Sequence, residues 1–494
     1  MLMSRSDSQI ITSVGIDIGT TTTQLVLSRL TIENTASVTL VPRVSITAKE
    51  VIHRSRIHLT PLLEHHLING EEISRLVEEE YRLAAVTPRD IDSGAVIITG
   101  ETAKKENAKA LLDVLAGFAG DFVVAAAGPN LESIYAGKGS GAAAYSAEKH
   151  QEIVNIDVGG GTSNFAVFRE GQAIDTTCLN IGGRLLEIEP GGDRVTYIAQ
   201  PMQAVLKAMG RWIRVGEVIQ LEHLREIAAL MAQSIVEVIL SKNLSSLTGE
   251  LLMAPPLSLN YPLNSIMVSG GVADYVYKDS PPCSVEEVSA FGDMGPLLGW
   301  MLREKIIAAG FALIKPLETV RATVIGTGTQ SISLSGSTIH VQGQTSLPLR
   351  NILVAKPFPE GSAGIPAAAE EIGDFVRKSV SLLYTEGQTQ PLALAFQGPR
   401  TLSFLDIQTL AKGIVLGVDE FIAGDKPLIL IIEKDCGKIL GQCLTALCGK
   451  HRELICIDQL CLENCDYIDI GKPLMGGRII PVVMKTLVFD TKKL

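Results

Sequence analysis

Hydrophobic and polar positions along the chain follow two recurring patterns. Short apolar runs such as AVIIT, LALAF, PLILIIE and ELICID are typical of buried β-strands. Longer segments repeat apolar residues every three or four positions, which predicts amphipathic helices. In LREIAALMAQSIVEVIL we interpret this stripe as core; it consists of Leu224, Ile227, Ala228, Met231, Ile235 and Ile239. Strands and helices that alternate along the chain predict an α/β fold.

The order of these segments predicts three regions. Residues 1–150 contain a strand hairpin, a polar helical insertion and the strand AVIIT. A helix follows in ETAKKENAKALLDVL, with an apolar face of Ala108, Leu111, Leu112 and Leu115. Residues 151–310 begin with a second hairpin and include the striped helix. Residues 311–494 alternate strands, such as RATVIG, NILVAKP and IIPVVMKTLVF, with helices at 367–384 and 438–449.

Length and charge narrow the classes of function. A chain of 494 residues with 46% apolar residues can bury several cores, so we expect two or three domains. The formal net charge of −11 argues against nucleic-acid binding, which needs clustered Lys and Arg. No run approaches the roughly 20 apolar residues of a membrane-spanning helix. The start, MLMSRSDSQIITS, lacks the features of a secretory signal, which predicts a cytoplasmic protein.

Two acidic hairpins are the strongest chemical signal. VGIDIGTTTTQLVL at 14–27 and VNIDVGGGTSNFAVF at 154–168 each run from an apolar strand through Asp, a Gly-rich turn and a Thr/Ser cluster into a second strand. Backbone N–H groups in such turns form a nest for phosphate, and a carboxylate at the strand end can hold hydrated Mg²⁺. With IMVSGGVADYV at 266–276, they predict an ATP-binding site.

This three-part pattern resembles the actin/Hsp70/sugar-kinase ATPase superfamily. The resemblance implies an actin-like (Hsp70-type) two-lobed α/β ATPase, with phosphate loop 1 in the first lobe and phosphate loop 2 and the adenosine loop in the second. FGDMGPLLGWML at 291–302 resembles the second interdomain helix of that superfamily. Residues 311–494 would then be an appended C-terminal α/β domain. They show no pattern of the β-sandwich and helical lid of a peptide-binding Hsp70, which disfavours an ordinary Hsp70.

The resemblance assigns a role to each candidate site residue. Asp17 and Asp157 would hold Mg²⁺ through water, and Glu132, 25 positions before Asp157, would position the attacking water. Phosphate would be bound by Gly19, Thr20, Thr21, Thr22, Gly159, Gly160, Gly161 and Thr162. The adenosine loop would be Ser269, Gly270 and Gly271. Turn-capping by the two aspartates is the structural alternative.

One feature of Hsp70-type ATPases has no clear match in this chain. Those proteins place a Lys from the first lobe on the terminal phosphate, and the sequence does not clearly match Lys49, Lys104 or Lys105 to it. We therefore expect slow hydrolysis, with charge neutralised mainly by Mg²⁺ and backbone donors.

The remaining motifs point to one family. RSRIHLTPL, TGETAKKENA, DVGGGTSNFAVF, ATVIGTGTQSISLSGSTI and YIDIGKPLMGGRIIPVVMKTLVF together resemble the EutA family of ethanolamine ammonia-lyase reactivating factors. The resemblance implies an ATP- and Mg²⁺-dependent chaperone whose partner is a cobalamin-dependent lyase. It leaves open a homo-oligomer and an association with a bacterial microcompartment. A small-molecule kinase and an actin-like filament protein of the same superfamily stay as alternatives.

Cysteines and histidines suggest metal sites only weakly. Six of the eight cysteines lie in 436–465, but no Cys-x-x-Cys pair occurs, so we expect reduced and mostly buried thiols. The histidines of HRSRIHLTPLLEHHLI, which are His53, His58, His65 and His66, have no compact ligand spacing and are interpreted as polar surface.

Overall fold

The computed structural model is an α/β protein with three mixed β-sheets. It describes residues 9–19, 22–34, 44–56, 58–64, 67–98, 122–126, 129–316, 319, 327–334, 339–342, 347–358, 365–383, 391–398, 403–418, 426–449, 452–471 and 480–488. The predicted helix in ETAKKENAKALLDVL and the predicted strand RATVIG lie outside these residues. None of the helices in the described ranges is long and apolar enough to cross a bilayer.

The first sheet is formed by the N-terminal part of the chain. Its strands are β1 (Gln9–Ile18), β2 (Thr22–Asn34), β3 (Val44–Arg54), β4 (His58–Leu59), β7 (Ser93–Ile98) and β8 (Phe122–Ala126). Between β4 and β7 the chain forms a separate small hairpin of β5 (Leu62–Glu64) and β6 (Leu67–Ile68). The strand order is β3-β2-β1-β7-β8, and β4 also pairs with β2. β1, β2 and β3 are antiparallel neighbours, whereas β7 and β8 run parallel to β1. The predicted strand AVIIT is confirmed as part of β7.

An amphipathic helix, α1 (Gly70–Leu83), covers the first sheet. The helix begins after Asn69, whose side chain accepts a hydrogen bond from the backbone N–H of Glu72. Its buried positions Ile73, Val77 and Tyr81 recur every four residues and face the apolar residues of β1, β2 and β7. A 3₁₀ turn at Pro88–Asp90 then leads into β7.

Glu80 is a buried carboxylate on the same face of α1. It is 1% exposed, and its two oxygens lie 2.7 Å from Nε2 of His53 and Nε2 of His58. Burial raises the pKa of Glu80, but the hydrogen bonds and charges of the two histidines outweigh it and leave the pKa below its usual value. The polar-surface interpretation is therefore wrong for His53 and His58. His65 and His66 lie outside the described residues.

The second sheet follows α2 (Pro129–Gly139) and α3 (Ala142–Lys149). Its strands are β9 (Ile153–Val158), β10 (Ser163–Arg169), β11 (Gln172–Leu179), β14 (Ser265–Ser269) and β15 (Ala312–Ile314). Between β11 and β14 the chain forms a separate hairpin of β12 (Leu186–Ile188) and β13 (Val195–Ile198). The order is β11-β10-β9-β14-β15. The first three are antiparallel neighbours, and β14 and β15 run parallel to β9. The first two sheets thus have the same strand order and directions.

Helices pack on both faces of the second sheet. α2 and α3 lie on one face, where alanines of α3 contact Ile153 and Phe168. The core on the other face includes residues of α4 (Gln200–Ala208), α5 (Leu221–Leu240), α6 (Ser246–Leu251), α7 (Ala273–Val276), α8 (Val285–Val288) and α9 (Gly295–Ala308). A 3₁₀ turn at Ser289–Phe291 precedes α9. The six predicted stripe residues of α5 are all buried, which confirms the helix and its core face.

The third sheet is formed by the C-terminal part of the chain. Its strands are β16 (Thr327–Leu334), β17 (His340–Gln342), β18 (Leu349–Ala355), β19 (Leu392–Phe396), β20 (Leu428–Ile432), β21 (Leu454–Asp458), β22 (Tyr467–Ile470) and β23 (Pro481–Val488). The order is β16-β23-β22-β18-β19-β20-β21-β17, with β18 to β21 parallel. Five predicted strands of this region, from NILVAKP to IIPVVMKTLVF, are confirmed.

Three helices connect the parallel strands of the third sheet. They are α10 (Ala369–Leu383), α11 (Phe404–Val418) and α12 (Gly437–Cys448). All three pack in one core on the same face of the sheet, as right-handed crossovers between sequential parallel strands require. The predictions at 367–384 and 438–449 are confirmed, whereas α11 was not predicted. The region boundaries after residues 150 and 310 stay a prediction.

The cysteines of the third sheet and its helices are separate free thiols. Cys436, Cys456 and Cys465 are buried, and Cys461 is exposed. Burial raises the pKa of the Cys436 thiol to about 11, and that of Cys456 rises further. Within the described ranges, no group of three or more His, Cys, Asp or Glu side chains is placed to hold a metal ion.

Candidate functional site

A tight turn joins β9 to β10 in the second predicted phosphate hairpin. The last cross-strand pair of the hairpin is Val158 with Ser163. The turn between them consists of Gly159, Gly160, Gly161 and Thr162. It is closed by a 3.0 Å hydrogen bond from the backbone N–H of Gly159 to the carbonyl of Thr162. The predicted phosphate-binding residues of this hairpin therefore lie together at one end of the second sheet.

A second glycine-containing segment follows β11 and lies directly against this turn. The backbone N–H of Gly183 donates to the carbonyl of Gly159 at 3.0 Å. The N–H of Arg184 donates to the carbonyl of Gly160 at 2.7 Å. A Cβ at Gly182 would overlap the backbone of Gly160, so only glycine allows this approach. Gly182 is absent from the predicted site, although the glycine pair in LNIGGRLLE marks a turn directly after a strand.

The predicted adenosine loop meets the same hairpin. β14 runs parallel to β9 and ends at Ser269, directly opposite Asp157. Gly270 follows with a φ of +92°, and a Cβ there would overlap the carbonyl of Val158. Gly271 is exposed and has open space where a Cβ would lie. The structure therefore brings Ser269 and Gly270 to Asp157, and it gives Gly270 a steric reason to be glycine.

Asp157 is the charged group at the centre of this arrangement. It is 8% exposed, and its Oδ1 accepts a 2.6 Å hydrogen bond from Oγ of Ser269. Burial raises the pKa of Asp157 to about 6, although the hydrogen bond from Ser269 offsets part of the rise. A cation beside this carboxylate would favour its ionised form, because opposite charges attract. The hydrogen-bond partner lies on another strand, unlike that of a turn-capping aspartate.

Asn164 lies opposite Asp157 in the hairpin. The two residues form a cross-strand pair, so their side chains share one face of the sheet. Asn164 is 2% exposed, and its Oδ1 has no hydrogen-bond partner among the residues that the structure describes. A buried carbonyl oxygen without a partner is costly, and hydrated Mg²⁺ is bound through such oxygens. The donor set of Asp157 and Asn164 therefore fits a hydrated magnesium ion.

The first predicted phosphate hairpin has the same register. Asp17 on β1 pairs with the amide residue Gln24 on β2, as Asp157 pairs with an amide on β10. The carbonyl of Gly19 accepts a 2.8 Å hydrogen bond from Oγ1 of Thr60. Thr60 is absent from the predicted site, although it lies in the RSRIHLTPL motif. An amide seven positions after each aspartate was also a readable signal.

Part of the first hairpin falls outside the described residues. This part consists of Thr20, Thr21 and the side chains of Asp17 and Thr22. The backbone of Asp17 lies one residue before the end of β1, and β2 begins at Thr22. The roles of these residues stay a prediction.

Glu132 lies in the first turn of α2 and is 8% exposed. Beyond the C-terminal end of α2, Oγ of Ser140 donates a 2.8 Å hydrogen bond to Oδ1 of Asn155. Asn155 is two residues before Asp157 on β9, so α2 packs on the face of the sheet that carries the aspartate. An acidic residue in the first turn also stabilises a helix through its dipole. The role of Glu132 in positioning water stays a prediction.

Comparison with known proteins identifies the family. The family model of the ethanolamine utilisation protein EutA matches residues 9–490. A protein of Salmonella typhimurium named ethanolamine ammonia-lyase reactivase EutA is 38% identical over 479 residues, which cover 97% of this chain and 98% of that relative. The Escherichia coli protein of the same name is 37% identical over the same shares of both chains.

Solved structures give a weaker likeness. A Ppx/GppA family member from Aquifex aeolicus has a TM-score of 0.36 at 15% identity, covering 64% of this chain and 97% of that one. At this TM-score the likeness carries no weight in the assignment. The assignment rests on the family model and the two relatives, which match nearly the whole length of the chain. The chain therefore belongs to the EutA family of ethanolamine utilisation proteins.

Proposed function

We propose that this protein is an ATP-dependent reactivating chaperone for ethanolamine ammonia-lyase. It binds lyase that carries damaged cobalamin and promotes exchange for adenosylcobalamin during ethanolamine utilisation. The names of the two relatives, which match over 97% of the chain, support the partner and the activity. Cytoplasmic location, microcompartment association and homo-oligomerisation belong to the same proposal. The same proposal divides the chain into a first ATPase lobe at residues 1–150, a second lobe at 151–310 and a C-terminal α/β region at 311–494.

The duplicated acidic hairpin is the observation that carries the ATP-dependent part. Asp17 and Asp157 occupy equivalent register positions in two sheets of the same topology. In the second sheet, the turn is pressed against two glycine segments where no Cβ fits, at Gly182 and Gly270. Exposed backbone N–H groups in such a turn suit an anion, and the neighbouring carboxylate suits its counter-cation. A nucleotide triphosphate with Mg²⁺ combines these two charges.

Each predicted residue then has a task that its chemistry allows. Asp17 and Asp157 hold Mg²⁺ through its waters, and Glu132 orients the attacking water. Phosphate is bound by the backbone and hydroxyl donors of Gly19, Thr20, Thr21, Thr22, Gly159, Gly160, Gly161 and Thr162. The adenosine is lined by Ser269, Gly270 and Gly271. When bound, ATP supplies a phosphoanhydride bond, and its hydrolysis would convert the ATP-bound protein into the ADP-bound protein.

Slow hydrolysis fits the charges around the second turn. Arg184, whose backbone contacts Gly160, points its Nε at Oδ2 of Asp293, 3.2 Å away. Burial raises the pKa of Asp293, and its contacts with Gly295 and Arg184 offset part of that rise. Because this ion pair neutralises the guanidinium, Arg184 contributes little positive charge to the phosphates. A chaperone that uses ATP as a timer does not require fast turnover.

The two nucleotide states must differ in affinity for the lyase. A ligand shifts an equilibrium between two arrangements only by its difference in affinity for them. Reactivation therefore requires that ATP and ADP favour different arrangements, and that the lyase also distinguishes these arrangements. By linkage, the lyase must change the preference for ATP over ADP by the same coupling energy, typically about 1–3 kcal/mol.

The deciding experiment is recovery of a blocked lyase. Ethanolamine ammonia-lyase inactivated with cyanocobalamin is incubated with this protein, Mg·ATP and adenosylcobalamin, and deamination is then assayed. We expect recovery with the natural protein and none with Asp157→Asn or without ATP. Product analysis separates the alternatives, because a kinase yields a phosphorylated acceptor whereas the chaperone yields only ADP and phosphate. ATP-dependent sedimentation as polymer would indicate a filament protein.

A second experiment tests the coupling. ATP and ADP are each titrated by calorimetry with and without cyanocobalamin-blocked lyase. We expect the lyase to change the ratio of the two affinities about fivefold or more. Equal nucleotide preference in both titrations, together with no recovery of deamination, would contradict the chaperone function.

A further inference from the structure

Helix α2 is packed on both sides. Leu131, Ile134 and Tyr135 are each 1% exposed and belong to the core shared with the third sheet and its helices. On its other side, a Cβ at Gly137 would overlap the ring of Phe168 on β10. The helix therefore fills the space between the second sheet and the C-terminal region, where close packing lets it shift only if both neighbours respond.

A chain of hydrogen bonds joins the end of α2 to Asp157. Oγ of Ser140 donates to Oδ1 of Asn155 at 2.8 Å, and Nδ2 of Asn155 donates to Oγ of Ser269 at 3.0 Å. Ser269 in turn donates to Oδ1 of Asp157 at 2.6 Å. The three linking side chains are fully buried, so each bond is shielded from water. Oγ of Ser140 also lies 3.2 Å from the carbonyl of Gly137, but its shorter contact is with Asn155. The shorter contacts thus run towards the carboxylate, whose negative charge strengthens them.

Two further hydrogen bonds join α2 to the C-terminal turn, which we define as residues 463–466. Oη of Tyr135 donates to the carbonyl of Cys465 at 3.3 Å, and Nζ of Lys138 donates to the carbonyl of Asn464 at 2.9 Å. The turn is fixed to the end of β18, because the N–H of Cys465 donates to the carbonyl of Val354 at 2.9 Å. Cys465 also has a φ of +71°, which a non-glycine residue adopts only when its surroundings hold it there.

We propose that Ser140 and Asn155 are positioning residues that hold Asp157 through Ser269, and that α2 thereby couples the nucleotide site to the C-terminal turn. The proposal rests on the proposed function, because it takes Asp157 to face a nucleotide-bound cation. A cation that shared this carboxylate with Ser269 would change the hydrogen bonding along the chain. The helix carries that change to the turn through Tyr135 and Lys138.

The positioning part is tested by the magnesium dependence of nucleotide binding. Affinities for ATP with and without Mg²⁺ are measured by calorimetry for Ser140→Ala. We expect the gain in affinity from Mg²⁺ to fall about threefold to tenfold, the value of one lost hydrogen bond, while affinity for metal-free ATP is unchanged. Ser146→Ala is the matched control, because Ser146 is equally buried in α3 and its hydrogen bonds are with Ala143 and Gly171, outside this chain of hydrogen bonds. An equal loss with and without Mg²⁺ would indicate a merely structural role and would overturn the positioning.

The coupling part is tested at the turn itself. Amide hydrogen exchange of a peptide spanning 460–470 is measured by mass spectrometry with and without Mg·ATP. In the natural protein we expect nucleotide to change the exchange rate about fivefold or more. The double variant Tyr135→Phe, Lys138→Met keeps the ring and the aliphatic stem but removes both hydrogen bonds. It should still bind Mg·ATP while the turn no longer responds.

The outcomes separate this inference from the function on which it rests. Binding of Mg·ATP without any response in the turn overturns the coupling but leaves the ATPase proposal intact. A response that is the same in the natural protein and the double variant overturns the role of α2. Absence of Mg·ATP binding in calorimetry overturns both. Retained melting temperature in each variant establishes that the fold survives the substitution.

Discussion

The first and second sheets have one topology but a different residue in register with the equivalent aspartate. Each sheet pairs its aspartate with an amide residue across the hairpin, in the same register. On the parallel neighbour strand, Asp157 lies opposite Ser269, whereas Asp17 lies opposite Ile97. A serine can donate a hydrogen bond and an isoleucine cannot. The duplicated backbone therefore carries a polar connection to the rest of the chain in the second sheet.

The buried carboxylates of the two sheets also differ in energy. Among the described residues Asp157 accepts a hydrogen bond from Ser269, and burial raises its pKa to about 6, so burial disfavours its charged form. Glu80 in the first sheet is bonded to His53 and His58, which hold its pKa below the usual value. A carboxylate with permanent partners stabilises the fold, and one that lacks them is suited to bind a ligand.

The largest expected effect separates the two aspartates. Asp157→Asn should abolish ATP hydrolysis without loss of stability, because the amide keeps the shape and removes a costly buried charge. Asp17→Asn should lower the rate more than about tenfold, as for one misplaced electrostatic group. Phosphate release at saturating Mg·ATP measures both.

Asp193→Asn is the control for these variants, because Asp193 is exposed. Its rate should equal that of the natural protein. Normal turnover of Asp157→Asn would contradict the assignment of this carboxylate to the metal site, and a larger loss in Asp17→Asn would reverse the ranking of the two hairpins.

A pair of glycines tests whether close approach shapes the second site. Gly270→Ala should weaken ATP binding about tenfold or more, because its φ of +92° and its contact with Val158 both exclude a Cβ. Gly271→Ala should bind normally, since open space surrounds the position of its Cβ. Calorimetry with Mg·ATP measures both affinities. Equal affinities in the two variants would show that the overlap at Gly270 does not shape the site.

The buried carboxylate of the first sheet should act on stability. Glu80→Gln should lower the free energy of unfolding by about 1.5–3 kcal/mol, because it removes charge-assisted hydrogen bonds with His53 and His58. Glu79→Gln is the matched control. Its side chain is 47% exposed and lies 3.6 Å from Arg56, so its loss should stay within about 0.5 kcal/mol. Urea denaturation at pH 7 gives both values, and equal losses would remove the distinction between the two positions.

The smallest effect is the pH dependence of that same contribution. The pKa of Glu80 is lowered in the folded protein, so its stabilisation is present above the usual pKa of 4.5 and is lost as the pH falls through the folded value. The difference in unfolding free energy between the natural protein and Glu80→Gln should therefore shrink as the pH falls below 4.5. Urea titrations from neutral to acid pH measure it. A difference that grows as the pH falls below 4.5 would contradict the sign of the pKa shift.

Local pattern in the sequence was enough to predict both acidic hairpins and several of the buried strands and helices. The stripe from Leu224 to Ile239 is a buried helix because its spacing matches one helical face, which needs no knowledge of the partner. Gly159, Gly160, Gly161 and Thr162 form a turn between two apolar strands, as three consecutive glycines in that place predict. Helix α11 was not predicted, because the apolar run IVLGV at its C-terminal end is equally typical of a β-strand.

Contacts between distant segments were decided only by the tertiary structure. From the sequence His53 and His58 are interpreted as polar surface, but in the folded protein Glu80 lies between them. The requirement for glycine at position 182 likewise arises only from its contact with the backbone of Gly160. The same holds for Ser140, which reaches Asp157 through two other side chains. Sequence periodicity indicates which side chains of one helix or strand share a face, whereas these roles depend on which distant segments come into contact in the folded protein. The sequence by itself thus determined the hairpins and their candidate site residues, and the tertiary structure alone decided which distant segments they contact.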